Sequence, residues 1–390
     1  MKTVNFPRGT VLLVHGDTNR EYFFIVRKGK LAVKSDRDFQ EVVLTNFLPG
    51  QSFGIVSAYT DGKVLGTVSA VEDSEVLIVP IAGITAFFSA HRDLFIKIVM
   101  RYAIELRSLS KSIFEKVGYA VQDIPENLMH QAKVCLEKGE KNLAARLVHS
   151  LKEWKNRDPD AFGSELISFI DENKDLAFDE GEKPASGAVL KLKKGENIFI
   201  EGEKGSDFYI MKTGIVKIWC QHKQDEITLA LLSEPSIFGE MAVLEDKARM
   251  ANATVLSEEA EIICFSEDSL QQSIGGSLLE KILQSLSLRI WKTHRMLAAL
   301  EHNAVFMKFM SYLYSLVEYN SIQSGEDIEK MDLYEIPFSV PDICNLLNIN
   351  SSLPDIIEFS SEIKVNDTGF SIKSEPFKNY LSRAKTRHKS

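Results

Sequence analysis

The sequence predicts an α+β chain: two β-barrel or jelly-roll domains, a helical linker between them, a long helix after the second, and a small mixed domain at the C-terminal end. Three observations carry this. A glycine-punctuated β pattern occurs twice, each copy is followed by helical periodicity, and the last ninety residues break at Pro337 and Pro341 before a hairpin-like corner at 367–369. The expected boundaries are 1–117, 118–182, 183–302 and 303–390.

The repeat comes first in the chain and in the argument. Residues 6–54 and 192–239 place Gly9, Gly16, Gly29 and Gly54 opposite Gly195, Gly202, Gly214 and Gly239. Gly9 and Gly195 stand 186 positions apart, and Gly54 and Gly239 stand 185 apart. Between the glycines run short alternating segments. Val216, Ile218 and Cys220 fall on one face, Lys217, Trp219 and Gln221 on the other, as in half-buried strands joined by tight corners.

Helical spacing follows each copy. In 86–117, Leu94, Ile98, Tyr102, Leu106 and Leu109 share a face. Residues 126–176 read as a helical hairpin broken at Gly139, and the polar stretch 171–187 marks a domain boundary. After the second copy, Leu279, Ile282, Leu286, Ile290, Thr293, Leu297 and Leu300 step by three and four residues. This heptad-like seam predicts a homodimer through 279–300. Packing of the same stripe against its own chain is the alternative.

Composition excludes several classes of function. The 390 residues carry 46 basic and 55 acidic side chains, net −9, so no global positive field draws the chain to nucleic acid or an anionic membrane. The longest weakly polar run, 76–88, contains Pro80 and is too short to span a bilayer. No secretory signal opens the chain, which points to the cytoplasm. Cys135, Cys220, Cys264 and Cys344 are scattered as reduced, buried thiols would be. The eight histidines show no metal-ligand spacing, so neither a metal nor a cofactor is expected. With no GxSxG, P-loop or paired Cys/His setting, no catalytic residue is assigned and the chain reads as a non-enzyme.

The segment 238–255, FGEMAVLEDKARMANATV, carries the chemistry. Gly239 permits close backbone approach, and a short helix opening at MAVL offers free amide hydrogens. An ionised Glu240 is acceptor-only, suited to a sugar hydroxyl, and Arg249 offers a planar fork to paired phosphate oxygens. The segment resembles the phosphate-binding cassette of cyclic-nucleotide-binding domains through Phe238, Gly239, Glu240, Ala242, Leu244, Arg249 and Ala251. The resemblance implies a cyclic nucleotide, cAMP foremost, held by Gly239, Glu240, Met241, Ala242, Arg249, Met250 and Ala251, with Thr293 or His294 over the base. Met250 departs from the Ser or Thr that commonly follows the arginine; Asn252 or Thr254 is the candidate replacement for the lost hydroxyl. Pairing of Glu240 with Arg249 is the alternative to ligand binding. In the first copy Ile55 stands at the glutamate, and counting back from Glu75 places Val64 at the arginine, beside Lys63. Both anchoring groups are missing there.

Across residues 192–369 the chain also resembles the Crp/Fnr regulators, which implies a winged helix-turn-helix: first helix 339–349, second helix 351–361, wing 363–372. Ser339 and Asp342 make a capping start. The second helix holds Asp355, Glu358 and Glu362 with no Lys or Arg, and residues 301–390 are net −4. Base readout and phosphate neutralisation need donors and cations, so DNA is disfavoured and a protein partner expected. Lys378, Arg383, Lys385, Arg387 and Lys389 form an expected solvated basic tail. The overall expectation is a cytoplasmic cyclic-nucleotide-responsive regulator. A DNA-binding regulator and a scaffold with two empty barrels are the alternatives.

Overall fold

The computed structural model describes residues 1–388 apart from 38–39, 65, 117–123, 179–183, 223–224, 234–235, 246–247, 267–275 and 367–368. The two β domains repeat strand for strand. The first comprises β1 (Lys2–Phe6), β2 (Val11–Leu13), β3 (Tyr22–Lys28), β4 (Leu31–Arg37), β5 (Gln40–Phe47), β6 (Ser52–Phe53), β7 (Thr67–Ala70) and β8 (Ser74–Pro80). The second comprises β9 (Val189–Lys193), β10 (Asn197–Phe199), β11 (Asp207–Thr213), β12 (Val216–His222), β13 (Asp225–Leu232), β14 (Ile237–Phe238), β15 (Asn252–Val255) and β16 (Glu259–Ser266).

Each domain is a pair of open four-stranded antiparallel sheets. The orders β1-β8-β3-β6 and β2-β7-β4-β5 recur as β9-β16-β11-β14 and β10-β15-β12-β13. Both sheets of a domain feed one core: Phe24, Val26, Leu31, Phe47, Phe53, Val68 and Val76 in the first, and Phe199, Met211, Val216, Phe238, Ala253 and Ile262 in the second. The alternation read from β12 holds, with Val216, Ile218 and Cys220 buried. A short helix follows the sixth strand of each domain: α1 (Ile55–Tyr59) in the first, with its counterpart at Glu240–Glu245. Then come α2 (Ile84–Ala90) and α3 (Arg92–Lys116).

The linker is a helical hairpin as expected, α4 (Ile124–Glu137) and α5 (Lys141–Arg157), followed by α6 (Ser164–Glu172). Its apolar stripe is core: Leu128, Ala132, Leu147, Val148, Leu151, Leu166 and Phe169 pack with Ile200 of the second β domain. The short helix Glu240–Glu245 is α7, and the long helix is α8 (Gly276–Leu300). Next are α9 (Val305–Ser324), β17 (Leu333–Ile336), α10 (Val340–Leu346), α11 (Pro354–Ser361), β18 (Lys364–Val365), β19 (Phe370–Lys373) and α12 (Ser374–His388). Strands β17, β19 and β18 pair antiparallel in that order, as a wing does.

Two compact units divide the chain. One holds Met1–Leu106, Leu270–Arg295 and Tyr314–Met331; the other holds Arg107–Ser269, Met296–Leu313 and Asp332–Ser390. Most of α8 is therefore grouped with the first β domain, although it follows the second in sequence.

Part of the stripe follows the intramolecular alternative. Leu279, Ile282, Leu286 and Ile290 are each no more than 1% exposed within a single chain, as are their neighbours Leu283 and Trp291. Leu300 is buried as well, while Thr293 and Leu297 are half-buried, so packing within one chain covers most of the stripe at 279–300. The apolar face is wider than a two-position heptad seam, which is what burial inside one chain requires.

The basic tail lies on an amphipathic helix, α12, that buries Phe377, Leu381 and Ala384 and leaves Lys385 exposed. The capping start expected at Ser339 is present: the Asp342 amide donates to Ser339 Oγ at 3.2 Å and the Ser339 amide donates to Asp342 Oδ2 at 3.3 Å. The corner at 367–369 lies partly outside the described residues.

Candidate functional site

The second β domain positions the site through its backbone. Strand β14 ends at Phe238, Gly239 follows with a φ of +81° that only a residue without Cβ takes up freely, and α7 begins at once. The returning chain is pinned from both sides, because Gly202 donates to the Arg249 carbonyl at 2.9 Å and the Arg249 amide donates to the Glu203 carbonyl at 2.8 Å. These bonds place Arg249 beneath the β10–β11 turn.

Its guanidinium is 4% exposed. Nη1 donates to the Gly239 carbonyl and Nη2 to the Asp207 carbonyl, while Cζ lies 4.3 Å from the Phe199 ring centroid and 5.8 Å from that of Tyr209. Nε is buried and has no hydrogen-bond partner among the described residues. Burial lowers the Arg249 pKa, opposed by Tyr209, Glu203, Asp207 and Glu240. The normal value is so high that the fork remains charged at any physiological pH. Of its five N–H donors two serve carbonyls, and the rest suit an anion.

Two glycines make room for this group. A Cβ on Gly239 would stand 2.8 Å from Nη1, and one on Gly205 would stand 2.9 Å from Cζ and 2.3 Å from the Ala242 Cβ. Sequence reading named Gly239 but missed Gly205. The available signal was that the first repeat has Asn19 at the equivalent position.

The other expected residues fall as follows. Glu240 is 3% exposed, Ala242 and Ala251 are buried, and Met250 is half-buried. The Met241 side chain lies outside the described residues. Neither candidate replacement for the missing hydroxyl is available. Asn252 Oδ1 accepts from the Glu201 amide at 3.1 Å and its Nδ2 donates to Gln131 at 3.4 Å. Thr254 Oγ1 accepts from Trp219 Nε1 at 2.8 Å and bonds Asn197. On α8, Thr293 donates to the Arg289 carbonyl at 2.7 Å, and His294 Nε2 stands 3.6 Å from Glu105.

Behind the cassette lies a polar cluster the sequence did not reveal. Glu201 is 4% exposed, Gln131 of α4 donates to its carboxyl at 3.4 Å, and Asn127 also bonds it. Burial pushes its pKa up to about 8, against those two amide donors.

The first β domain repeats the scaffold without the chemistry. Gly16 donates to the Val64 carbonyl at 2.9 Å and the Val64 amide to Asp17 at 2.9 Å, the same two bonds that pin Arg249. The isolated bridges Thr18↔Lys63 and Lys204↔Ala248 match as well. Val64 therefore holds the arginine position and Ile55 the glutamate position, and both are buried. Where Gly205 leaves space for the guanidinium, Asn19 fills it: its Nδ2 donates to the Tyr22 carbonyl at 2.8 Å and lies 3.1 Å from where a Gly54 Cβ would be. Lys63 is exposed.

Among the described residues no group of His, Cys, Asp and Glu is arranged to hold a metal ion, and no helix is long and apolar enough to cross a membrane. The four cysteines are free and buried.

Known proteins resemble the chain over parts of its length. The chain is 28% identical over 156 residues to the CRP-like cAMP-activated global transcriptional regulator of Mycobacterium tuberculosis, covering 37% of this chain and 69% of that protein. It is 33% identical over 121 residues to a cGMP-dependent protein kinase of Eimeria tenella, covering 31% of this chain and only 11% of the kinase. Among solved structures, a CRP-family transcriptional regulator of Thermus thermophilus aligns with 52% of this chain and 97% of its own at 16% identity and a TM-score of 0.37. The profile of the cyclic nucleotide-binding domain family matches the chain twice, at residues 3–91 and 189–275.

Proposed function

We propose that the chain is a non-catalytic regulator whose second domain binds one cyclic nucleotide, cAMP foremost. In this reading Arg249 meets the cyclic phosphate, Glu240 accepts from the sugar hydroxyl, and Gly239, Met241, Ala242, Met250 and Ala251 line the contact. The observation that carries it is the buried arginine, its Nε without a hydrogen-bond partner among the described residues, set between two glycines at which a Cβ would stand 2.8 and 2.9 Å from the guanidinium. A charge held this way, with its terminal nitrogens donating to two backbone carbonyls, favours an anion brought in from outside. Ligand closure on 239–244 and Arg249 then biases the helix that follows, α8, provided the ligand prefers one arrangement.

The C-terminal domain supports a protein partner over DNA. Arg383 of α12 donates to Glu358 at 2.8 and 2.9 Å and to Asp355 at 2.9 Å, so this cation beside the would-be recognition helix is already engaged by its acids. A thermal-shift screen against cyclic mononucleotides and dinucleotides tests the reading, since a ligand that binds only the folded state raises the melting temperature. A rise with cAMP or cGMP, absent in Arg249→Ala, is expected. No rise with any cyclic nucleotide at millimolar concentration refutes it.

A further inference from the structure

Four polar contacts within one compact unit join α8 to the first domain, and two of them, at Tyr59 and Asp61, fall on its cassette. Glu280, near the start of α8, accepts from the Tyr59 hydroxyl at 3.3 Å and from Thr85 Oγ1 at 2.6 Å. Tyr59 ends α1, and burial together with Glu280 raises its pKa well above the phenol range. Fifteen residues further on, Arg295 Nη2 donates to Asp61 Oδ2 at 2.9 Å, in the cassette loop itself. His294 beside it faces Glu105 of α3 at 3.6 Å.

Asp61 is built for this role. Its other carboxylate oxygen accepts from the Lys63 amide at 2.9 Å, its carbonyl accepts from Arg20 at 3.1 Å, and its side chain is 11% exposed. Arg295 is held in turn by Glu318 at 3.6 Å and lies 5.0 Å from the Trp291 ring centroid. Between these two anchors the apolar face of α8 is buried without a second chain.

We propose that the first domain, having exchanged its ligand groups for Asn19, Ile55 and Val64, uses its cassette as a latch for α8, the helix that carries the second domain's output. The tandem chain thereby supplies internally the surface that a partner subunit would supply. Release of Glu280 from Tyr59 and Thr85, and of Arg295 from Asp61, is the movement α8 must make to signal. The coupling half of this proposal rests on nucleotide binding by the second domain; the latch itself does not.

The test is hydrogen exchange on the full chain, comparing wild type with the combined variant Tyr59→Phe, Thr85→Val and Asp61→Asn. None of the three lies in α8 or the second cassette. Exchange across 276–295 is expected to rise at least about tenfold, with β11, β12 and β16 unchanged. Unchanged protection of α8 overturns the latch. Should the combined variant lose its fold, Tyr59→Phe alone, which removes one hydroxyl, is read in the same way at 276–284. Nucleotide affinity is measured in parallel. A gain of at least about threefold in the variant supports coupling, and unaltered affinity with a loosened α8 overturns it. A wild type that binds no nucleotide refutes the functional reading while leaving the exchange result to judge the latch.

Discussion

Gly205 and Arg249 are fitted to one another: a Cβ on the glycine would stand 2.9 Å from Cζ of the guanidinium and 3.0 Å from its Nε. The first domain shows the complementary solution, with Asn19 where Gly205 stands and Val64 where Arg249 stands. The pair exchanges as a unit, because a long cation needs an empty neighbour and a short apolar residue leaves space that a side chain must fill. Gly205→Asn is therefore expected to displace the Arg249 side chain and weaken cyclic nucleotide binding at least about tenfold, about 1.4 kcal/mol. The β fold should persist, as it does around Asn19. Calorimetric titration with circular dichroism as a control checks both halves.

Arg249 also has a structural share. Its terminal nitrogens serve the carbonyls of Gly239 and Asp207, which tie α7 and β11 to the returning chain. Arg249→Ala leaves two carbonyls without these donors and is expected to lower the unfolding free energy of the second domain by about 1–3 kcal/mol. Denaturant titration of the two variants at 249 separates this from binding. Arg249→Lys keeps the charge but cannot bridge both carbonyls, so its stability should fall with the alanine variant.

Glu201 gives the second domain a pH dependence of defined sign. Its carboxyl faces Gln131 and Asn127 from α4, its backbone amide meets Asn252 from β15, and the Cys220 thiol of β12 feels its charge. The folded pKa, about 8, lies above the ordinary carboxylate value. The folded state therefore keeps a proton that the unfolded chain has released. The contribution is complete below the ordinary carboxylate pKa and is lost as pH rises toward and through about 8. Melting temperature should fall across that window and the fall should be shallower in Glu201→Gln. Equal slopes in the two proteins would remove Glu201 as the cause.

The acidic face of α11 bears on DNA. Asp355 and Glu358 are bound by Arg383, and burial of Phe377 and Leu381 fixes α12 in place to hold it. Fluorescence anisotropy with short duplexes should show no sequence-specific binding at 150 mM salt and no steep loss between 50 and 200 mM, the range in which phosphate-gripping proteins weaken by orders of magnitude. A steep salt slope would restore the DNA-binding reading.

Much of this was legible in the sequence. The glycine spacing gave both β domains because positive-φ corners admit few other residues, and Val64 was placed at the arginine position by counting alone. The α8 stripe was legible as a stripe, yet its partner was not. Periodicity reports that Leu279, Ile282, Leu286 and Ile290 share a face and says nothing about which surface covers it. Asn252 and Thr254 looked like spare hydroxyl or amide groups near the cassette, but their bonds go to Glu201, Gln131, Trp219 and Asn197, partners up to 121 positions away. Long-range polar pairing of that kind leaves no local pattern. Gly205 was missed for a related reason: its meaning lies in a contact with a residue 44 positions on, not in a turn.

Isothermal titration of the full chain with cAMP and cGMP, in wild type and Arg249→Ala, tests the central claim most directly. The account predicts one site per chain for at least one of the two nucleotides, weakened tenfold or more by the substitution. Two equal sites, an affinity the substitution leaves unaltered, or no heat from either nucleotide would contradict it.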